Sequence, residues 1–212
     1  MSLLFLAIAL GAALDYGLRH SWRLPNFDRS MTKTCATLSL IIFASLANAP
    51  GLLIVGLGFA AIGDYSGSRG PLRWMLLSAT AFLASHTMYV LLYLERSYAF
   101  APHSGPAMLL GLTGVIVMVA TCWRTLAALR LAVVMYTPVI MVQFVIGQTV
   151  PAEFMTIAYA TTLFLISGCL LGLELFAIPL DSSVRRWSSP VVWLTYFAAQ
   201  MLVIFSFVEI EI

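Results

Sequence analysis

Asp64 is the residue whose presence most needs a physical reason. It ends an apolar run that begins near Gly51 and holds no other charge. A carboxylate at the rim of such a run is either solvated by headgroup water or turned inward to a polar cavity. An ionisable group of this kind is a functional candidate by default. The plainer alternative is that Asp64 caps the turn that follows, Tyr65-Ser66-Gly67-Ser68, where small polar residues favour a bend.

Further polar residues recur inside apolar segments at helical spacing. Ser85, His86 and Thr87 stand together with Tyr89 three residues beyond the histidine, so His86 and Tyr89 share a helix face. The plainer role for His86 is a packing hydrogen bond to a neighbouring carbonyl. Tyr136 and Gln143 are seven apart, again one face. Tyr159, Ser167 and Glu174 repeat the pattern, as do Tyr196 and Gln200. Tyrosine and glutamine in lipid-buried helices often serve as interhelical glue. Several such stripes on different helices favour a shared polar cavity over scattered glue. Glu174 and Asp64 both stand near the same end of their helices, and two carboxyl groups in one low-dielectric site divide the labour, one protonated and one ionised. Asp15 and Glu153 stand at segment ends, where solvation is expected. His20, His86 and His103 are far apart and carry no ligand-spaced partner, so no metal is expected. There is no nucleophile elbow and no phosphate-cradling glycine loop.

The elements that must position these groups follow from composition. With 61% hydrophobic and 9% charged residues and a mean hydropathy of +0.98 over 212 residues, the chain has more apolar surface than a soluble core can hide. It reads as an integral membrane protein. No strand-like alternation of about ten residues recurs, so backbone satisfaction in lipid leaves a helix bundle in preference to a barrel. The expected fold is all-α, one transmembrane domain over residues 1–212. Cys35, Cys122 and Cys169 fall in apolar runs, behave as small hydrophobes and are expected to form no disulfide. A net charge of +2 is too small to suggest nucleic acid.

Taken in order, the apolar segments predict about eight spans: residues 3–14, 34–47, 51–63, 72–94, 107–123, 131–146, 152–177 and 191–208. Several are near the short end of the ~17–25 residues a crossing needs. The first lacks a basic flank, so it reads as a first helix and not a signal peptide. Residues 15–33 read as a loop, as do 179–190. Ten of the eleven basic residues fall in the odd-numbered connections: Arg19, Arg23, Arg29 and Lys33, then Arg69 and Arg73, then Arg124 and Arg130, then Arg185 and Arg186. Arg96 alone stands on the other side. The positive-inside rule therefore puts the odd loops in the cytoplasm and both termini outside.

The pattern resembles the YhhN-type membrane proteins, a family that includes the animal lysoplasmalogenases. The resemblance rests on Lys33-Thr34 at the start of helix two, Gly63-Asp64 at the end of helix three, and Phe82, His86 and Tyr89 in helix four. It continues through Tyr136 in helix six, residues 163–167 in helix seven, and Tyr196 to Gln200 in helix eight. It covers nearly the whole chain, in order.

The resemblance implies hydrolysis of the vinyl-ether bond of a lysoplasmalogen, a single-chain lipid, without a cofactor. Such chemistry needs an acid to protonate carbon, a carboxylate to stabilise the cation or activate water, and a greasy slot. Asp64 is then a catalytic carboxylate, with His86, Tyr89 and Tyr136 orienting substrate or water and Lys33 near the lipid phosphate. Ser167, Tyr196 and Gln200 complete the expected substrate-binding set. The resemblance also implies location in the inner (plasma) membrane of a bacterium. One departure stands out: where the family reads Ser-Asp in helix seven, this chain has Ser167-Gly168. Either Glu174, six residues on, supplies the second acid from a shifted position, or the chain is an inactive relative that binds a lipid or small solute. A secondary transporter would show internal repeats and broken helices, and Pro138 offers one break without a repeat.

Overall fold

The computed structural model describes residues 2–97, 104–124 and 129–208. Their regular structure is helical, with no strand among the described residues. The helices are α1 (Ser2–Asp15), α2 (Phe27–Leu46), α3 (Gly51–Gly67), α4 (Leu72–Leu94), α5 (Ser104–Cys122), α6 (Arg130–Gly147), α7 (Met155–Phe176) and α8 (Arg185–Phe205). A π-helical turn, Tyr16–His20, extends α1, and a 3-10 turn, Ala152–Phe154, leads into α7. His103, the third histidine, lies outside the described residues.

Five helical segments are long and apolar enough to cross a membrane: Ser2–His20, Leu72–Leu94, Arg130–Gly147, Ala152–Phe176 and Arg185–Phe205. The chain is an all-helical membrane protein. Helix α2 has the length, 20 residues, but its first two turns carry Asp28, Arg29 and Lys33. α3 is apolar but shorter.

Neighbouring helices pack in the order α1, α2, α3, α4, α6, α7, α8, and α8 returns to α1 and its π turn. Seven helices thus close a ring, and α5 is packed against α6 and α7. The ring closes through specific contacts: Trp193 Nε1 donates to the Ala13 carbonyl at 2.8 Å, and the Tyr16 and Trp193 rings meet edge-on at 4.7 Å. The sorting of side chains is the reverse of a soluble bundle. Ser78, Ser85, His86, Tyr89 and Tyr93 of α4 are buried, while Leu76, Leu77 and Leu91 are exposed. Lipid solvates the leucines as well as a core would, so polar groups take the interior where they find partners.

Four boundaries differ from the sequence expectation. Residues 15–33 are not one long loop: α1 continues through the π turn, and α2 starts at Phe27 in place of Thr34. Asn26 is the cause, since its side-chain oxygen accepts from the Arg29 amide at 2.7 Å and caps the helix, with Asp28 favoured in the first turn. Lys33 is therefore a helical residue facing inward. α3 runs on to Gly67, which places Asp64 inside the helix and removes its role as a turn cap. α8 begins at Arg185, absorbing Pro190 near its start. In α7, Tyr159 points outward at 58% exposure and does not join the stripe with Ser167 and Glu174, both buried. Positions 159 and 167 differ by eight residues, about 80° around the helix at 100° per residue, enough to part their faces.

The α3–α4 contact is close enough to exclude a methyl group. A Cβ at Gly56 would lie 2.5 Å from Cε1 of Tyr89, whose ring is fully buried. A Cβ at Gly58 meets nothing within 4 Å. Gly56→Ala is expected to destabilise the bundle by about 1–3 kcal/mol, despite better helix propensity, while Gly58→Ala is neutral or stabilising. Thermal unfolding of the two variants in one detergent checks this, and equal effects would overturn the close approach.

Candidate functional site

Lys33 and Thr37 are four residues apart on α2 and so present one face to α3. Between them they hold Asp64. Its Oδ2 accepts from Thr37 Oγ1 at 2.5 Å and from the Tyr196 hydroxyl of α8 at 2.9 Å. Its Oδ1 lies 3.0 Å from Lys33 Nζ. The carboxylate has no solvent exposure, so each partner offsets part of a large desolvation cost. The Lys33 ammonium is itself enclosed by the faces of Tyr16, Trp193 and Tyr196, at 5.8, 5.3 and 6.0 Å. Ring quadrupoles attract a cation at such distances, most strongly when it is desolvated.

A second polar cluster lies deeper. His86 is fourteen residues into α4, roughly 21 Å along its axis. Its Nδ1 is 2.5 Å from Gln143 Oε1 and its Nε2 is 2.9 Å from the Tyr136 hydroxyl, both on α6. Both ring nitrogens thus have a partner on α6, one an amide and one a phenol hydroxyl. Phe164 of α7 packs edge-on against the imidazole at 5.0 Å. Tyr89, on the same face of α4, donates to Gln200 Oε1 at 2.6 Å and ties α4 to α8.

Glu174 is buried near the end of α7. Its Oε1 accepts from Ser189 at 2.8 Å and from Ser188, which leaves Oε2 free of both serines. Ser167 donates to the Val192 carbonyl at 2.8 Å, an α7–α8 tie. Gly168 lines the cavity, and a Cβ built on it would be in van der Waals contact with Ile140 Cδ1 at 3.4 Å.

These groups meet around one cavity of about 280 Å³. Its lining includes Arg29, Lys33 and Arg185, the carboxyl groups of Asp64 and Glu174, and His86, Tyr136 and Tyr196. Its remaining wall is largely apolar and includes Met118, Val133, Ile140 and Leu171. Asp64, His86, Glu174, Lys33, Tyr136, Ser167 and Tyr196 therefore share the cavity, whereas Tyr89 and Gln200 lie off its lining and bind each other. Gln143 and Thr37 likewise stand behind the wall, holding His86 and Asp64. Among the described residues no three His, Cys, Asp or Glu side chains gather to hold a metal.

Several site residues carried no signal strong enough to single out. Thr37 was legible as the i+4 partner of Lys33, once both are seen to be helical. Ser188 and Ser189 fell within an expected loop. Tyr16 and Trp193 are ordinary interfacial aromatics in the sequence, and only the ring closure brings them to Lys33. The arrangement can hold a carboxylate, a neutral imidazole and several hydroxyls against the flank of an apolar slot, out of bulk water.

A family model, that of the YhhN family, matches residues 29–207, a span that includes every cavity residue named above except Tyr16. No curated protein and no solved structure matches the chain. With well over half of its length matched, including Lys33, Asp64, His86, Tyr136 and Tyr196, the chain belongs to the YhhN family.

Proposed function

We propose that the chain is a lysoplasmalogenase-like hydrolase that cleaves the vinyl-ether bond of a single-chain lipid, releasing a fatty aldehyde and a glycerophospho-ethanolamine or glycerophosphocholine. The observation that carries this reading is a fully buried, multiply hydrogen-bonded carboxylate, Asp64, on the wall of a cavity lined also by basic side chains and by many apolar ones. Protonation of the β-carbon uses the vinyl π pair for the new C–H bond and leaves an oxocarbenium ion. Water adds at the α-carbon, passes a proton to a carboxylate, and the hemiacetal collapses to aldehyde and alcohol. Asp64, ionised against Lys33, is suited to stabilise the cation and take the proton from water. Glu174, with Oε2 clear of its two serine donors, is suited to donate the proton. His86 and Tyr136 orient water or substrate. The apolar flank takes the alkenyl chain, which enters from the leaflet.

A second reading is favoured by Gly168: a relative that binds the lipid without turning it over. A Cβ is tolerated there, in contact with Ile140, so the absence of an acid at this position is not forced by packing at the first side-chain atom. Incubating membranes with the purified protein separates the two, aldehyde release supporting the hydrolase and lipid retention without aldehyde supporting the binder.

The proposed topology has eight spans with both termini outside, in the inner (plasma) membrane of a bacterium, supported by the ten-to-one distribution of basic residues. In a background lacking the native cysteines, a thiol probe on intact cells is expected to label a cysteine placed after Ile212 and not one replacing Ser182. Equal labelling or equal protection would overturn it.

Asp64→Asn is expected to lower vinyl-ether turnover by about 100-fold or more. Because it leaves Lys33 without its carboxylate, Asp64→Asn combined with Lys33→Met is the companion that removes both charges. Unchanged turnover in either folded variant would remove Asp64 from the mechanism.

Glu174→Gln is expected to lose turnover comparably, and Gly168→Asp to leave an active parent no faster. An inactive parent that gains activity through Gly168→Asp would overturn the role given to Glu174.

A further inference from the structure

Three cationic side chains line the cavity, and they differ in what neutralises them. Lys33 is 3.0 Å from Asp64 and wrapped by three aromatic faces, so its charge is spent inside the protein. Arg29 is one turn nearer the start of α2. It donates through Nη2 to the Ser21 carbonyl at 3.2 Å, forms no ion pair among the described residues, and its buried Nε has no partner. Arg185 donates to backbone carbonyls only, Nε to Pro179 at 3.0 Å and Nη2 to Ile178 at 3.0 Å and to Glu174. Carbonyl dipoles do not cancel a full charge. Glu174 accepts from Ser188 and Ser189 and forms no ion pair among the described residues. Two of the three cations on the cavity wall thus have no carboxylate paired with them.

We infer that Arg29 and Arg185 form the anion site of this cavity and take the phosphate of a lysophospholipid, in place of Lys33. Guanidinium groups suit phosphate, offering several fixed donors to its oxygens. The spacing fits as well. Arg29 and Lys33 are four residues apart on α2, about 6 Å of axial rise, and Asp64 is held at the Lys33 level. A phosphorus on the sn-3 oxygen and the ether oxygen on sn-1 are separated by five bonds, an extended span of about 6 Å at ~1.5 Å bond lengths. A phosphate held by Arg29 therefore brings the sn-1 ether bond to the level of Asp64, with the chain running on along the apolar part of the wall. This rests on the lipid substrate proposed above, but not on its cleavage.

The test is binding of two uncleavable ligands to the full chain in detergent: a saturated 1-alkyl lysophosphoethanolamine and the 1-alkylglycerol that lacks the phosphate. The parent is expected to prefer the phosphorylated ligand by about tenfold or more. Arg29→Gln is expected to reduce that preference to near unity while leaving alkylglycerol affinity unchanged. Arg185→Gln is expected to do the same, and because Arg185 also ties down the end of α7, Arg29→Gln is the deciding variant. A parent with no preference, or an Arg29→Gln protein with the parent's preference, overturns the site. Loss of preference in Lys33→Met with retention in Arg29→Gln overturns it in favour of Lys33. Competition by inorganic phosphate at concentrations matching the lipid would assign the site to free phosphate and overturn the lipid role. Aldehyde release from a vinyl-ether lipid, measured alongside, keeps the two readings apart. Phosphate preference without hydrolysis upholds the anion site alone, and hydrolysis without phosphate preference upholds the activity alone.

Discussion

Placing a carboxylate where water does not reach is the constraint to which the rest of this bundle answers. Asp64 has no exposure, and its two oxygens are held by Lys33, Thr37 and Tyr196. Those partners come from α2 and α8, so the charge ties three helices at one depth. Removing one member of such a buried pair typically costs about 3–5 kcal/mol, because the other charge stays behind uncompensated. The geometry of the pair therefore sets where α2 and α8 can sit against α3. The aromatic faces of Tyr16, Trp193 and Tyr196 extend the same demand to the π turn after α1, whose position closes the ring.

The deeper polar groups divide into two kinds by whether they reach the cavity. Tyr89 and Gln200 satisfy each other off its wall and act as a tie between α4 and α8. His86 and Tyr136 bond each other and also line the open space. Gln143 is the support for this second pair, since from behind the wall it holds the imidazole by Nδ1 and so fixes the ring's orientation. Both kinds are polar residues turned inward from otherwise apolar helices. What separates structural glue from a site is the space beside it: His86 and Tyr136 border the cavity, and Tyr89 and Gln200 do not.

The cations on the cavity wall differ in how they are held. Lys33 is 3.0 Å from Asp64 and surrounded by three aromatic rings, whereas Arg29 and Arg185 line the same cavity with backbone carbonyls as their side-chain partners. The rest of the wall combines imidazole and phenol with aliphatic carbon.

Composition alone determined that this is an all-helical membrane protein, because transfer free energy is nearly additive over residues and lipid admits few backbone solutions. Helical periodicity also brought out Asp64, His86, Tyr136, Glu174 and Tyr196, since a polar residue in an apolar run is conspicuous by local contrast. Local contrast failed at Lys33, which hid among the charges of an expected loop until the Asn26 cap moved the helix start back to Phe27. It also failed at Tyr159, where a tyrosine spaced to join the stripe faces outward. The pairing of Lys33 with Asp64, the withdrawal of Tyr89 and Gln200 from the cavity, and the presence of both Arg29 and Arg185 on its wall were decided by tertiary structure. Each depends on the rotation and crossing of helices distant in sequence, and spacing along one helix fixes which residues share a face without fixing what that face meets.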